Sequence, residues 1–176
     1  GAHSLQYGKT DHYVESCEVV LADGTVTTFG ETSVEQLRAA GDPEGDLEAR
    51  IDDTVARLLD EETETVEDAF PALKRNVSGY NLGRLVDERA GEHGEEGTVN
   101  LARLLAGSEG TLAVVTEATV SLEPVPETKS LALLAYDDLV TAMEDVEPIL
   151  EHDPAAVEVL DDVLLGLAGD TEEFGD

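Results

Sequence analysis

Two runs of alternating polarity that meet at Asp23-Gly24 constrain this chain more than any other feature. Glu15–Ala22 and Thr25–Phe29 both read as strands, and Asp-Gly suits a two-residue hairpin turn whose central positions both need positive φ. The hairpin commits the chain to antiparallel sheet. Cys17, Val19 and Leu21 fall on one face, and Glu18, Val20 and Ala22 on the other. A further strand is expected over Leu112–Leu122, closed by Pro124 and Pro126.

Helical signals fill the space between. Ser33-Val-Glu-Gln36 has the form of a capping box opening a short helix that ends near Gly41. Asp46 caps a longer helix with Leu47, Ile51, Val55, Leu58 and Leu59 along one stripe. From Ala69 to Glu88 the periodicity is poor, and Pro71, Gly79 and Gly83 imply an irregular loop with short helical pieces. Asn100 starts a short helix through Leu104 that stops at Gly107. After Pro126 a fresh pattern begins. Ser130–Tyr136 reads as a strand, Asp138–Leu150 as a helix bent near Pro148, Ala156–Leu160 as a second strand, and Asp162–Leu167 as the start of another helix. The expected fold class is α+β, with domains at residues 1–126 and 127–176 and a frayed tail over Asp170–Asp176.

The charges narrow the partners. Against 41 Asp and Glu stand 10 Lys and Arg, a formal net charge of −31. A polyanion needs a Lys/Arg patch to release its counterions, so nucleic acid is excluded as a partner, and anionic membrane surfaces fail on the same ground. Disorder is excluded by the apolar runs Val19–Ala22, Leu112–Val115 and Leu131–Ala135. The acids are interleaved with apolar residues and not gathered in a tail, and lysine occurs only at positions 9, 74 and 129. That combination fits a halophilic protein from a high-salt cytoplasm, where screening removes most self-repulsion. Cys17 is the single cysteine, which rules out an internal disulfide and fits a reducing compartment. No apolar run approaches a membrane span and no signal peptide opens the chain, so a cytoplasmic location is expected. The start at Gly1-Ala2-His3-Ser4, with no initiator Met, is either a cleavage scar or the edge of a fragment.

Motifs for chemistry are few. His3, His12, His93 and His152 include no pair at zinc-ligand spacing, and Asp42-Pro-Glu-Gly-Asp46 lacks the calcium-loop pattern, so no metal site is expected. There is no Gly-x-Ser-x-Gly elbow and no phosphate loop ending in Gly-Lys-Ser/Thr. The informative stretch runs from Leu104 to Thr119, where a helix end meets a two-glycine turn and then a strand. Gly107 and Gly110 let the backbone approach a ligand closely. The intervening N–H groups, with the Ser108 and Thr111 hydroxyls, can bond an anionic or carbonyl-rich group. A plain helix-to-strand connection with a glycine C-cap accounts for the same spacing.

The residues of this turn carry a family resemblance. Gly107-Ser-Glu-Gly-Thr-Leu-Ala-Val-Val-Thr116 resembles the signature strand of FAD-linked oxidases with a vanillyl-alcohol-oxidase or p-cresol-methylhydroxylase type FAD domain, in the D-lactate, glycolate and D-2-hydroxyglutarate dehydrogenase branch. Gly1-Ala-His-Ser-Leu-Gln-Tyr-Gly-Lys-Thr10 is similar to the end of that family's Asn-Ala-Ser-Gly segment with its Tyr-Gly, and Glu18–Gly24 to the hairpin that follows it. Lys74-Arg-Asn-Val-Ser-Gly-Tyr-Asn-Leu82 resembles the Lys-x-x-x-Gly-Tyr-Asp/Asn-Leu stretch, and Ala156–Asp161 the first strand-to-helix junction of the cap domain. The resemblance spans nearly the whole chain. It implies the second lobe of a two-lobed FAD-binding domain, followed by the beginning of a ferredoxin-like cap. It implies FAD as cofactor, with Gly107, Ser108, Glu109, Gly110 and Thr111 and the backbone of Val114 and Val115 lining it. Gly1, Ala2, Tyr7 and Gly8 would contribute from an opposite loop, with Gly79, Tyr80 and Asn81 as weaker candidates.

Departures from the family pattern matter equally. The Pro-x-Gly-x-Gly-Thr pyrophosphate loop of the first lobe is absent, as is the cap half with its His/Glu-rich motif. Ala113 stands where glycine is usual, and Arg89–Thr98 is an acidic, glycine-rich insertion. The resemblance thus implies a fragment with a natural truncated start, and it leaves no residue here to name as a catalytic base. The parent would oxidise a small 2-hydroxy acid and pass electrons to an acceptor that the sequence does not identify. A non-catalytic acidic binding or structural module that keeps the fold is the alternative. Self-repulsion among −31 charges also predicts salt-dependent stability. The melting temperature should fall as KCl is lowered from about 2 M to about 0.1 M, where the Debye length grows to roughly 10 Å. Calorimetry that finds it rising instead contradicts the halophilic reading.

Overall fold

The computed structural model describes residues 4–70 and 79–170. In chain order the elements begin with helix α1 (Ser4–Tyr7), a 3₁₀ turn (Thr10–Tyr13), and strands β1 (Val14–Val20), β2 (Val26–Phe29) and β3 (Glu31–Ser33). Helices α2 (Val34–Ala40), α3 (Leu47–Glu61), α4 (Thr63–Ala69) and α5 (Leu82–Arg89) follow. Then come β4 (Thr98–Asn100), α6 (Leu101–Leu105), β5 (Val114–Val120), α7 (Leu139–Glu144), α8 (Val146–Leu150) and α9 (Asp162–Gly169). The arrangement is α+β: helices with small antiparallel sheets. It packs as two units, one of Lys9–Glu123 and one joining the described parts of Gly1–Gly8 and Pro124–Asp176. None of the described helices is long and apolar enough to cross a membrane.

In the Lys9–Glu123 unit, β1 is the middle strand of a β2-β1-β5 sheet, antiparallel to both neighbours. Cys17 faces Phe29 on one side and Ala118 on the other. Cys17, Val19 and Leu21 are buried while Glu18 is exposed, as the alternation predicts; Val14 is buried out of that phase, and a register shift in the β1–β5 pairing lies between Val14 and Ser16. The hairpin turn differs from expectation. Only Gly24 has positive φ, at 89°. Leu21 N–H donates to Thr25 O at 2.8 Å and Gly24 N–H to Leu21 O at 3.0 Å, so Ala22, Asp23 and Gly24 together form the loop. A three-residue loop needs the left-handed conformation at glycine alone, and Asp23 is spared that strain. Its carboxylate accepts the Thr25 N–H at 2.9 Å instead.

The helix starts follow the sequence closely. Ser33 and Gln36 make the reciprocal capping box, and Asp46 accepts the Ala49 N–H at 3.0 Å. Val55, Ala56 and Leu59 of α3 are buried, with Leu47, Ile51 and Leu58 packed at the margin. Arg38 of α2 holds Asp60 of α3 through two hydrogen bonds at 2.6 and 2.9 Å, and Arg89 adds an ion pair at 3.1 Å. The Arg38 bonds, chiefly, hold the Asp60 carboxyl below its usual range. The β3–β4 pair, Glu31 opposite Asn100 and Ser33 opposite Thr98, had no signal in the sequence because three residues are too few to show alternation.

Other expectations hold only in part. The short helical pieces expected between Ala69 and Glu88 include one regular helix, α5, with Leu85 and Val86 buried. Gly83 disguised it: a Cβ there would come within 3.3 Å of the Phe70 ring, so this glycine serves close packing and does not break the helix. The Lys74–Ser78 portion of the Gly-Tyr-Asn motif lies outside the described residues. In the second unit, neither Ser130–Tyr136 nor Ala156–Leu160 is a strand, because no neighbouring segment pairs with them among the described residues. The helix expected over Asp138–Leu150 breaks at Asp145, not at Pro148. Pro148 sits in the first turn of α8, where its missing N–H is not needed. Helical spacing puts Leu139, Met143, Val146 and Leu150 on one inward face, yet Leu139, Met143 and Leu150 are exposed and only Val146 is half-buried.

One buried carboxylate ties the larger unit together. Glu88 is 4% exposed and is held by Arg84 at 2.9 Å, by Arg103, and by the Asn100 N–H at 2.8 Å. Arg103 Nε donates to Val14 O at 3.1 Å, and Asn100 Nδ2 to Glu15 O at 2.9 Å. Glu88→Ala would leave both guanidinium groups without their buried partner and should destabilise the fold by about 3–5 kcal/mol. A denaturant titration returning a loss under about 1 kcal/mol would mean that water satisfies this cluster equally well.

Candidate ligand-binding turn

The turn that the sequence singles out joins α6 to β5. The Asn100 side chain caps α6 through the Ala102 N–H at 2.9 Å, and the helix ends at Ala106. The chain then reverses through Gly107 (φ 89°), Glu109 (φ 53°) and Gly110 (φ 75°). Three left-handed residues within four positions make a concave backbone of the kind that receives anions and carbonyl-rich groups. Glu109 adopts this conformation without glycine's freedom, a strain of about 1–2 kcal/mol. Strain of that kind collects at functional turns.

Hydrogen bonds show how the turn is held and what it offers. Ser108 N–H donates to Leu105 O at 3.1 Å and Thr111 N–H to Ser108 O at 3.0 Å. The Thr111 hydroxyl also donates to Ser108 O, at 2.6 Å. Its one proton is therefore engaged, and the Tyr80 hydroxyl 2.9 Å away must be the donor to Thr111 Oγ1. Tyr80 thus fastens the turn from a segment 31 residues away. Among the described residues nothing accepts from the N–H of Glu109 or Gly110. A Cβ at Gly107 or Gly110 would meet nothing within 4 Å. The turn therefore presents two spare donors beside open backbone, which fits a pyrophosphate or an amide-like carbonyl. Ser108 is buried, and Glu109 and Thr111 are exposed. Val114 and Val115 lie on β5, an edge strand whose side away from β1 has no partner strand among the described residues, and both side chains are exposed.

The remaining candidates divide. Tyr7 ends α1, and Gly8 has φ 71° with open space around its Cβ position; both belong to the other unit. Gly1 and Ala2 lie outside the described residues, as does His3. Gly79 has φ 73°. Asn81 donates to Asp11 at 2.7 Å and accepts from Lys9 at 3.1 Å, while Lys9 pairs with Asp11 at 3.6 Å. Asp11 is buried at 3% exposure. Segments 9–11, 79–81 and 108–111 are thereby fastened in one neighbourhood. Lys9 stands in the Gly1–Thr10 stretch that carries the resemblance, but nothing in the sequence marks Asp11 and Asn81 as its partners. Cys17 is no nucleophile here, since burial within the sheet raises its thiol above the usual value. A separate groove is lined by Thr28, Gly30, Gln36, Glu48 and Asp52, where burial, with Glu48 and Asp46 nearby, raises the Asp52 carboxyl.

Comparison with known proteins places this geometry in context. The chain is 31% identical to D-2-hydroxyglutarate dehydrogenase of Escherichia coli over 168 residues, 96% of this chain and 16% of that protein. It is 38% identical to a probable mitochondrial D-lactate dehydrogenase of Danio rerio, over 94% of this chain and 22% of that protein. To the glycolate oxidase subunit GlcD of Bacillus subtilis it is 29% identical, over 99% of this chain and 25% of that protein. The chain thus spans a quarter or less of these relatives, all named for oxidation of 2-hydroxy acids. No family model matches the chain, and no solved structure does.

The turn's own geometry can be tested directly. Gly107→Ala places a Cβ at φ 89° and should lower stability by about 1–2 kcal/mol. Tyr80→Phe removes one partly exposed hydrogen bond and should cost about 1 kcal/mol or less. Its clearer signature is faster amide hydrogen exchange at Thr111. Unchanged exchange there would mean that Tyr80 does not fasten the turn.

Proposed function

We propose that the chain is part of an FAD-dependent enzyme that oxidises a small 2-hydroxy acid of the D-lactate or glycolate kind. The observation that carries this reading is the Gly107–Thr111 turn, with its two unengaged N–H donors and open glycine faces. Similarity to dehydrogenases of D-lactate and D-2-hydroxyglutarate supports it.

On this reading the turn holds part of the flavin or its ribityl–pyrophosphate chain. Glu109 and Gly110 donate backbone N–H groups, and the Tyr80–Thr111–Ser108 hydrogen-bond chain keeps those donors aimed before the ligand arrives. Preorganised donors of this kind bind without reorganisation. The exposed edge of β5 at Val114 and Val115 adds backbone contacts, and the family resemblance makes Gly1, Ala2, Tyr7 and Gly8 cofactor-binding candidates as well. When bound, the flavin supplies the hydride acceptor, with N5 as the accepting atom. Residues 1–126 correspond to the second lobe of a two-lobed FAD-binding domain and residues 127–176 to the start of a cap. The first lobe, with its pyrophosphate loop, and the rest of the cap, with the catalytic base, belong to the remainder of the enzyme. The electron acceptor is a further partner, and a salt-rich cytoplasm is the setting.

A half-site implies weak binding and no turnover by this chain alone. Quenching of FAD fluorescence at about 2 M KCl, which screens the acidic surface, should saturate in the micromolar range or weaker, and Gly110→Val should weaken it at least about tenfold. An enzyme containing this segment that binds no flavin even when complete would overturn the proposal and leave the acidic-module reading in its place.

A further inference from the structure

Helix α5 ends in a way that gathers three metal-ligating side chains. Gly91, at φ 84°, is the left-handed residue after the helix. Its N–H donates to Glu88 O at 2.9 Å, and the Glu92 N–H donates back to Asp87 O at 3.0 Å. This pair of bonds is the Schellman closure, and it folds residues 92 and 93 back over the last turn of the helix. Gly97, at φ 83°, then returns the loop: its N–H donates to Arg89 O, and its carbonyl accepts from Val34 N, both at 2.9 Å. The acidic insertion of residues 89–98 is therefore a closed, anchored loop.

The closure places one ligand atom each from Asp87, Glu92 and His93 within 4.8 Å of one another. Donors sharing an ion at about 2.1 Å stand roughly 3.4 Å apart at tetrahedral angles. Glu92 and His93 are exposed and Asp87 is half-buried, so rotation about exposed side-chain bonds is enough to close that gap. Carboxylates are abundant in a chain with 41 of them. An imidazole is not, and only four histidines occur. The helix end adds to the attraction, since its carbonyls carry partial negative charge that favours a cation.

We propose that Asp87, Glu92 and His93 form a binding site for a divalent transition-metal ion, with Zn²⁺ the ion that suits one imidazole and two carboxylates. The remaining coordination positions go to water, so the site is an open one. The imidazole selects against Ca²⁺ and Mg²⁺, which take oxygen ligands. An ion here clamps the insertion to the end of α5, one residue from the buried Glu88, and acts as a staple on that helix. Sequence spacing hides the set because ligands at i, i+5 and i+6 belong to no helix face and no zinc motif. Only the left-handed glycine brings them together. The proposal stands apart from the flavin reading, and neither depends on the other.

Calorimetric titration of the EDTA-treated chain with zinc sulfate tests it, in about 2 M KCl to screen diffuse binding by the acidic surface. One Zn²⁺ per chain is expected, not displaced by a tenfold excess of Mg²⁺. His93→Ala should weaken binding at least about tenfold and Glu92→Gln several-fold, while His152→Ala leaves it unchanged. The His93 imidazole signals in a nitrogen-proton correlation spectrum should shift on the first equivalent. Binding that survives His93→Ala within twofold, uptake of several ions without saturation, or no uptake at all would overturn the site and reduce the cluster to charge pairing between an imidazole and its neighbouring carboxylates.

Discussion

The fastening of Glu88 is the interaction on which the larger unit depends. Bringing a carboxylate out of water is severely unfavourable unless charge and hydrogen bonds replace the lost hydration. Here Arg84, Arg103 and the Asn100 N–H do so together. Each partner comes from a different place, namely α5 itself, α6 and the end of β4. Arg103 and Asn100 then reach carbonyls of Val14 and Glu15 on β1. The middle strand of the sheet and the short helix leading into the Gly107–Thr111 turn are thus set against the same buried charge. The position of the Gly107–Thr111 turn depends on it directly, because α6 is only five residues long and too short to hold its place alone.

The acidic composition is handled by allocation. With 10 basic side chains available, two serve the buried Glu88, and two more, Arg38 and Arg89, share Asp60 on the α2–α3–α5 side. Lys9 joins the Asp11–Asn81 contact. These five cations therefore stand where elements meet or a carboxylate is buried. Exposed pairs such as Arg57 with Asp53 and Glu61 add little by comparison.

The chain after Pro124 obeys different physics. Leu131 and Leu133 are almost fully exposed, and α7 carries no buried residue. The apolar stripe read from Leu139, Met143 and Leu150 exists at helical spacing, but a stripe becomes a core only against a second layer. β5 shows the same incompleteness in the larger unit, since all seven of its side chains are exposed although six of its residues pair with β1.

What the amino-acid sequence determined by itself is local. Ser33 with Gln36, Asp46, Asn100, Gly24 and Gly107 act within a few residues of where they stand, so cap, turn and helix end are all legible from adjacent side chains. The buried face of β1 from Cys17 to Leu21 belongs to the same class, because a period of two fixes it, whereas the β1–β2 register does not, since the loop takes three residues where the Asp-Gly signal implies two. Tertiary structure decided which carboxylates among 41 are buried, that Tyr80 reaches Thr111, that Asn81 meets Asp11, and that α5 is a helix despite Gly83. Those choices depend on partners 12 to 85 residues away. One carboxylate or hydroxyl looks like any other until packing removes its water, and desolvation is a property of the assembled fold, not of neighbours along the chain.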